Sequence, residues 1–130
     1  MYTEERKETD LQSQSGNNID RKIMLYFHGN AEDVGHNMPL MYLFREKFKV
    51  SVLAVEYPGY GFFSHQILDG KVKPENQKIN CNAKKLTTNS LLVFDFVIRP
   101  VEQGGLGYKR ENVLVFGRSM GSGPSCILGK

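Results

Sequence analysis

"LVFGRSMGSGPS", Leu114 to Ser125, decides how the rest of the chain is read. An apolar run ends in Gly117-Arg118-Ser119-Met120-Gly121, a Gly-x-Ser-x-Gly centre, and small residues follow it. The physical content of the pattern is steric. A serine that projects from a tight strand-to-helix turn needs a strained backbone, and glycines two residues to either side let strand and helix approach. Taken alone, the pentapeptide also fits a glycine-rich turn in which Ser119 only caps a helix. Its surroundings favour the first reading: "ENVLVFG" reads as a strand over Asn112–Phe116, and a helix is expected to open just after Ser119.

Two earlier runs have the same character. In "RKIMLYFHGN" the apolar residues Ile23–Phe27 are closed by His28-Gly29, which suits a strand buried on both faces. "KVSVLAVEYPGYG" supplies a second such strand, Val50–Val55, closed by Pro58-Gly59. Between them, Val34, Met38, Met41 and Phe48, with Leu40 and Phe44 alongside, recur at helical steps. They predict an amphipathic helix within Asp33–Phe48, with Pro39 in its first turns or at its true start. "LTTNSLLVFDFVIRPVEQ" restores that spacing through Leu91, Phe94 and Ile98, with Thr88 or Asn89 as N-cap and Pro100 at the end. Strands alternating with helices predict the α/β class, three central parallel strands with flanking helices.

The chain has 130 residues, 40% hydrophobic and 24% charged, enough for one domain with a core. A net charge of +3, scattered along the chain, gives no footprint for nucleic acid. Residues 1–21 are polar and are expected to form a flexible tail, leaving 22–130 as the folded part. The polar stretch 64–85 lacks a period and reads as a surface loop insertion. Cys81 and Cys126 have neither disulfide-dense nor metal spacing, and the N-terminus has no apolar leader, so a reduced, cytoplasmic setting is expected. No run is long enough for a transmembrane segment; "SLLVFDFVI" carries Asp95.

A serine that attacks an acyl group needs donors for the oxyanion, worth about 3 to 4 kcal/mol each. The N–H of Met120, just after Ser119, is one candidate. The loop "HGNAEDVG" after the first strand offers the other: His28-Gly29 turns the chain so that the Asn30 N–H can face the same place, ahead of Ala31. At this point "FHGNAEDVG", "VLAVEYPGYG" and "ENVLVFGRSMGSGPS" together resemble the α/β-hydrolase superfamily. The nearest likeness is to its serine-hydrolase branch of monoacylglycerol-lipase-like, serine-aminopeptidase-like and depalmitoylating proteins. The resemblance runs from about Lys22 to Cys126 apart from the insertion.

That resemblance implies a partial α/β-hydrolase fold with the Ile23–Phe27 strand in the middle. It implies Ser119 as the catalytic nucleophile, Asn30 and Met120 as oxyanion donors, and His28, Gly29, Gly117 and Gly121 as structural residues near the site. Such hydrolases act on an ester or thioester through an acyl-enzyme, here of a small molecule or an acylated protein. A lipid-like acyl group ranks ahead of a peptide or small ester, and peripheral membrane association is open to the parent protein. No metal and no organic cofactor are implied. His36 and His65 are expected to face solvent, and Cys126 to pack within its helix. Tyr57, Tyr60, Phe62 and Phe63 fit an acyl pocket or ordinary core and rim packing.

One part of the family pattern is missing. The acid and the histidine of the triad follow the nucleophile, yet the eleven residues after Ser119 include no Asp, Glu or His. The chain thus reads as the N-terminal part of a serine hydrolase, ending just after the nucleophile turn and inactive by itself. The alternative is a non-catalytic short product or a fragment that binds a partner.

Overall fold

A computed structural model describes residues 22–64, 67–68, 71–72 and 80–130. In chain order its elements are β1 (Ile23–Phe27), α1 (Met38–Phe48), β2 (Ser51–Val55), the short strands β3 (Ile67–Leu68) and β4 (Lys71–Val72), α2 (Ala83–Ile98), β5 (Val113–Gly117) and α3 (Ser122–Leu128). The expected tail, residues 1–21, and His65 lie outside the described residues.

All of β1 is buried, as an uninterrupted apolar strand should be when both faces of its sheet are covered. It is the central strand, in the order β2-β1-β5, with parallel pairing on each side. Side chains alternate across a strand, so Ile23, Leu25 and Phe27 share one face and Met24 and Tyr26 the other. The first face joins Leu86 and Val97 of α2 with Val55 and Tyr57 in the main core. On the second, Phe44 of α1 meets the Tyr26 ring edge-on at 6.1 Å, and Phe116 stacks on Tyr26 at 5.7 Å. Helices on opposite faces follow from the reversal of strand order, because each parallel crossover is right-handed. The chain therefore has an α/β architecture, three parallel strands flanked by helices.

Several local expectations change. The outer strands are only half-buried, with Ser51 exposed and Phe116 38% exposed, because among the described residues each pairs on one edge alone. The first helix starts at Met38 rather than near Asp33, with Pro39 in its first turn. Its inward residues are Leu40, Met41 and Phe44, whereas Met38 and Phe48 are exposed. The second helix begins at Ala83, inside the stretch read as a loop, and Asn82 rather than Thr88 or Asn89 caps it, accepting from the Lys85 N–H at 2.9 Å. That stretch also contains the antiparallel β3–β4 pair. As expected, the helix stops just before Pro100. Asp95 is on its exposed side, paired with Arg99. Cys126 is exposed rather than packed, since Pro124, Ser125 and Leu128 make up the inward side of α3.

Candidate functional site

The register sets the place of the site. Phe27 lies opposite both Val55 and Gly117, so all three strands end level and their following loops gather at one edge of the sheet. In an open α/β sheet the crevice at a reversal of strand order is where ligands bind. The loops that meet there are His28–Glu32, Glu56–Tyr60 and Arg118–Gly121.

Ser119 is exposed and holds φ at +51°, a left-handed conformation that costs a non-glycine residue about 1 to 3 kcal/mol. Backbone contacts on both sides enforce it. The Arg118 N–H donates to Phe27 O at 3.0 Å, and the Gly121 N–H to Arg118 O at 2.9 Å. A Cβ on Gly117 would lie 2.1 Å from Gly121 O, and one on Gly121 would lie 2.2 Å from Phe27 O. Both glycines are thus required by space, and the turn that carries Ser119 is pressed against the end of β1. A short 3-10 turn, Ser119–Gly121, leads directly into α3, and the Ser122 hydroxyl donates to Ser119 O at 2.6 Å.

Asn30 is exposed in the loop after β1, and the next residue, Ala31, also has a positive φ, +58°. The Tyr60 hydroxyl donates to Asn30 Oδ1 at 2.6 Å and lies 3.8 Å from Met120 Sδ. One phenol therefore bridges the two residues whose N–H groups are the candidate oxyanion donors. Burial pushes the Tyr60 phenol above its ordinary value. Met120 is half-buried and packs on the main core.

His28 is fully buried, with Nδ1 2.9 Å from Gly29 O and Nε2 2.7 Å from Glu56 Oε1. Both ring nitrogens are engaged within the loop framework rather than with Ser119. Glu56 also accepts from the Val34 N–H at 3.2 Å, so it ties the loop after β1 to the end of β2. The fully buried Tyr57 packs its ring, tilted, 4.1 Å from the His28 ring and donates to His28 O at 2.8 Å. Burial pushes its phenol strongly upward. Tyr57 is therefore core and Tyr60 is at the site. Phe63 is 42% exposed, and the Phe62 side chain lies outside what is described. His36 is exposed, its N–H donating to Asp33 Oδ1 at 2.7 Å.

A second anchor was not anticipated from sequence. Glu32 accepts from the Gly29 N–H at 3.0 Å and from Asn37 Nδ2 at 3.3 Å, and its other oxygen lies 3.0 Å from Arg118 Nη1. The Gly29 N–H above all, with the Asn37 amide and the Arg118 guanidinium, holds the Glu32 carboxyl below the usual range, against some opposition from burial. The available signal was charge placement. Glu32 and Arg118 flank the two turn motifs, and Glu56 directly follows β2, but only their tertiary proximity gives those positions meaning. Among the described residues no three His, Cys, Asp or Glu side chains converge as a metal site requires. No described helix is long and apolar enough to cross a membrane. A groove of about 920 Å³, lined by Met38, Tyr42, Val50 and Val52, lies beside the amino end of β2, away from Ser119.

A parallel sheet with a strained serine between strand and helix describes an α/β protein at the coarsest level. The chain is similar to protein bem46 of Schizosaccharomyces pombe, 39% identical over 51 residues. The match takes in 39% of this chain and 17% of that protein, so the chain spans well under two thirds of the relative. No protein-family profile matches the chain, and no solved structure does.

Proposed function

We propose that this chain is the nucleophile-bearing part of a serine hydrolase that cleaves an ester or thioester through an acyl-enzyme on Ser119. The observation that carries the reading is the +51° φ of Ser119, held between two glycines that tolerate no side chain. In the proposed step Ser119 Oγ attacks the substrate carbonyl carbon while its proton passes to a base. The carbonyl oxygen takes up the negative charge and accepts from the N–H groups of Asn30 and Met120. Collapse of that intermediate expels the alcohol or thiol, which takes the proton, and water then releases the acid.

His28 in this reading is a framework residue, so the base and its acid partner come from elsewhere in a longer protein. The small share of the relative that the chain matches supports a longer parent. A lipid-like acyl group of the serine-hydrolase branch remains the proposed substrate class, and the cytoplasm the proposed setting. The 130-residue polypeptide alone is then inert, because a serine hydroxyl without an adjacent base is a weak nucleophile at neutral pH.

The test is fluorophosphonate labelling of the whole protein with site mapping. Labelling at Ser119 that Ser119→Ala abolishes is expected, whereas undiminished labelling of that variant places the nucleophile elsewhere. Turnover by the 130-residue chain above its Ser119→Ala control would show instead that a base lies within it.

A further inference from the structure

The geometry points to Glu32 and Arg118 as a positioning pair that sets the distance between the oxyanion loop and the nucleophile turn. The inference rests on the reading of Ser119 as the nucleophile and of the Asn30 N–H as an oxyanion donor. Ala31, beside Asn30, and Ser119, beside Arg118, both hold positive φ, +58° and +51°. Such conformations persist only where surrounding contacts over-determine them. The turn at Ser119 is fixed by Phe27 O and the close approach of Gly121. The loop at Ala31 has a different anchor, the Glu32 carboxylate.

One carboxylate oxygen of Glu32 faces inward. It accepts from the Gly29 N–H and from Asn37 Nδ2, and Asn37 is itself held by the buried Tyr26 hydroxyl, which donates to Asn37 Oδ1 at 2.9 Å. The other oxygen faces Arg118 Nη1 at 3.0 Å. The Glu32 side chain is 16% exposed and that of Arg118 is 59% exposed. An ion pair with so open a partner adds little to stability, because water and salt screen it. Its reach is nevertheless short at both ends: Glu32 is two residues from Asn30, and Arg118 is bonded to Ser119. The pair therefore acts on the relative placement of donor and nucleophile. Placement governs the chemical step steeply, since an error of about 1 Å can cost roughly a hundredfold in rate.

A double-mutant cycle in the whole protein tests the pair, read as the rate constant of fluorophosphonate labelling at Ser119 and as kcat and KM on a short p-nitrophenyl ester. Glu32→Gln keeps an acceptor for the Gly29 N–H but removes the charge, and Arg118→Gln removes the opposite charge. Each is expected to lower labelling and kcat about tenfold with KM little changed, and the double variant to lose about the same tenfold rather than a hundredfold. Arg118→Lys, which keeps the charge, should recover most of the rate. Thermal melts of Arg118→Gln and Arg118→Lys should stay close to the parent. Ser119 labelling in the parent combined with additive losses, or with rates unmoved by either substitution, would overturn the pair alone. Absence of Ser119 labelling in the parent would overturn the nucleophile reading and the pair with it.

Discussion

Gly121→Ala and Gly123→Ala place the same methyl group two residues apart at the start of α3, and opposite effects on stability are expected. A Cβ on Gly121 would lie 2.2 Å from Phe27 O, 2.7 Å from Phe27 C and 2.9 Å from His28 O. All three are backbone atoms at the end of the fully buried central strand, so no flexible side chain can yield. The Phe27 carbonyl would have to retreat by roughly 1 Å, and forced packing of this kind costs about 1 to 3 kcal/mol. The retreat also stretches the bond that Phe27 O accepts from the Arg118 N–H, a further loss of about 0.5 to 1.5 kcal/mol. With φ at −67° the backbone of Gly121 has no objection to alanine, so the restricted unfolded chain returns about 0.4 to 1 kcal/mol. The net expectation is a destabilisation of about 2 kcal/mol. At Gly123 nothing lies within 4 Å of the new Cβ, so only the gain of about 0.4 to 1 kcal/mol remains. Urea unfolding of the two variants beside the parent, with m-values compared, measures both. Equal effects at the two positions would refute the close approach of the serine turn to β1, and with it the steric origin of the strained Ser119.

His28→Ala should destabilise the fold by about 2 to 4 kcal/mol in the same assay, because it opens a cavity beside Tyr57 and takes the closest partner from Glu56 Oε1. The acid limb of stability should depend on Glu32, whose carboxyl is held below its ordinary value of 4.5. A lowered native pKa means a contribution fully present above that ordinary value and lost as pH falls through the native one, so melts at descending pH should show a slope below about pH 4.5 that Glu32→Gln removes. Thiol labelling under native conditions should be faster at Cys126 than at Cys81 by about tenfold or more, since Cys126 is exposed while burial pushes the half-buried Cys81 thiol up. Equal rates at the two cysteines would contradict the packing of Cys81 against the core.

What the sequence determined by itself is the set of elements whose residues are apolar for a single reason. Ile23–Phe27 is legible because a strand covered on both faces admits no polar position, and its bounds match the structure. The serine turn is legible because Gly117 and Gly121 stand where a side chain would collide with backbone. Boundaries resting on mixed signals were less clear. Lys84, Lys85, Thr87 and Thr88 obscure the first turns of α2, although Leu86 already faces the core. No local pattern fixes the strand order, which only the family resemblance implied, and the level ends of the strands belong to the tertiary structure, because parallel partners are chosen by how helices cover the two faces. The contacts that finish the site depend on that choice. His28 reaches Glu56, Tyr60 reaches Asn30 and Met120, and Arg118 reaches Glu32 only because three loops distant in the chain leave the sheet at one edge. A charged or hydroxyl side chain in a loop carries no mark of its partner in the sequence, since its partner is set by distance in space, which the register of the sheet alone supplies.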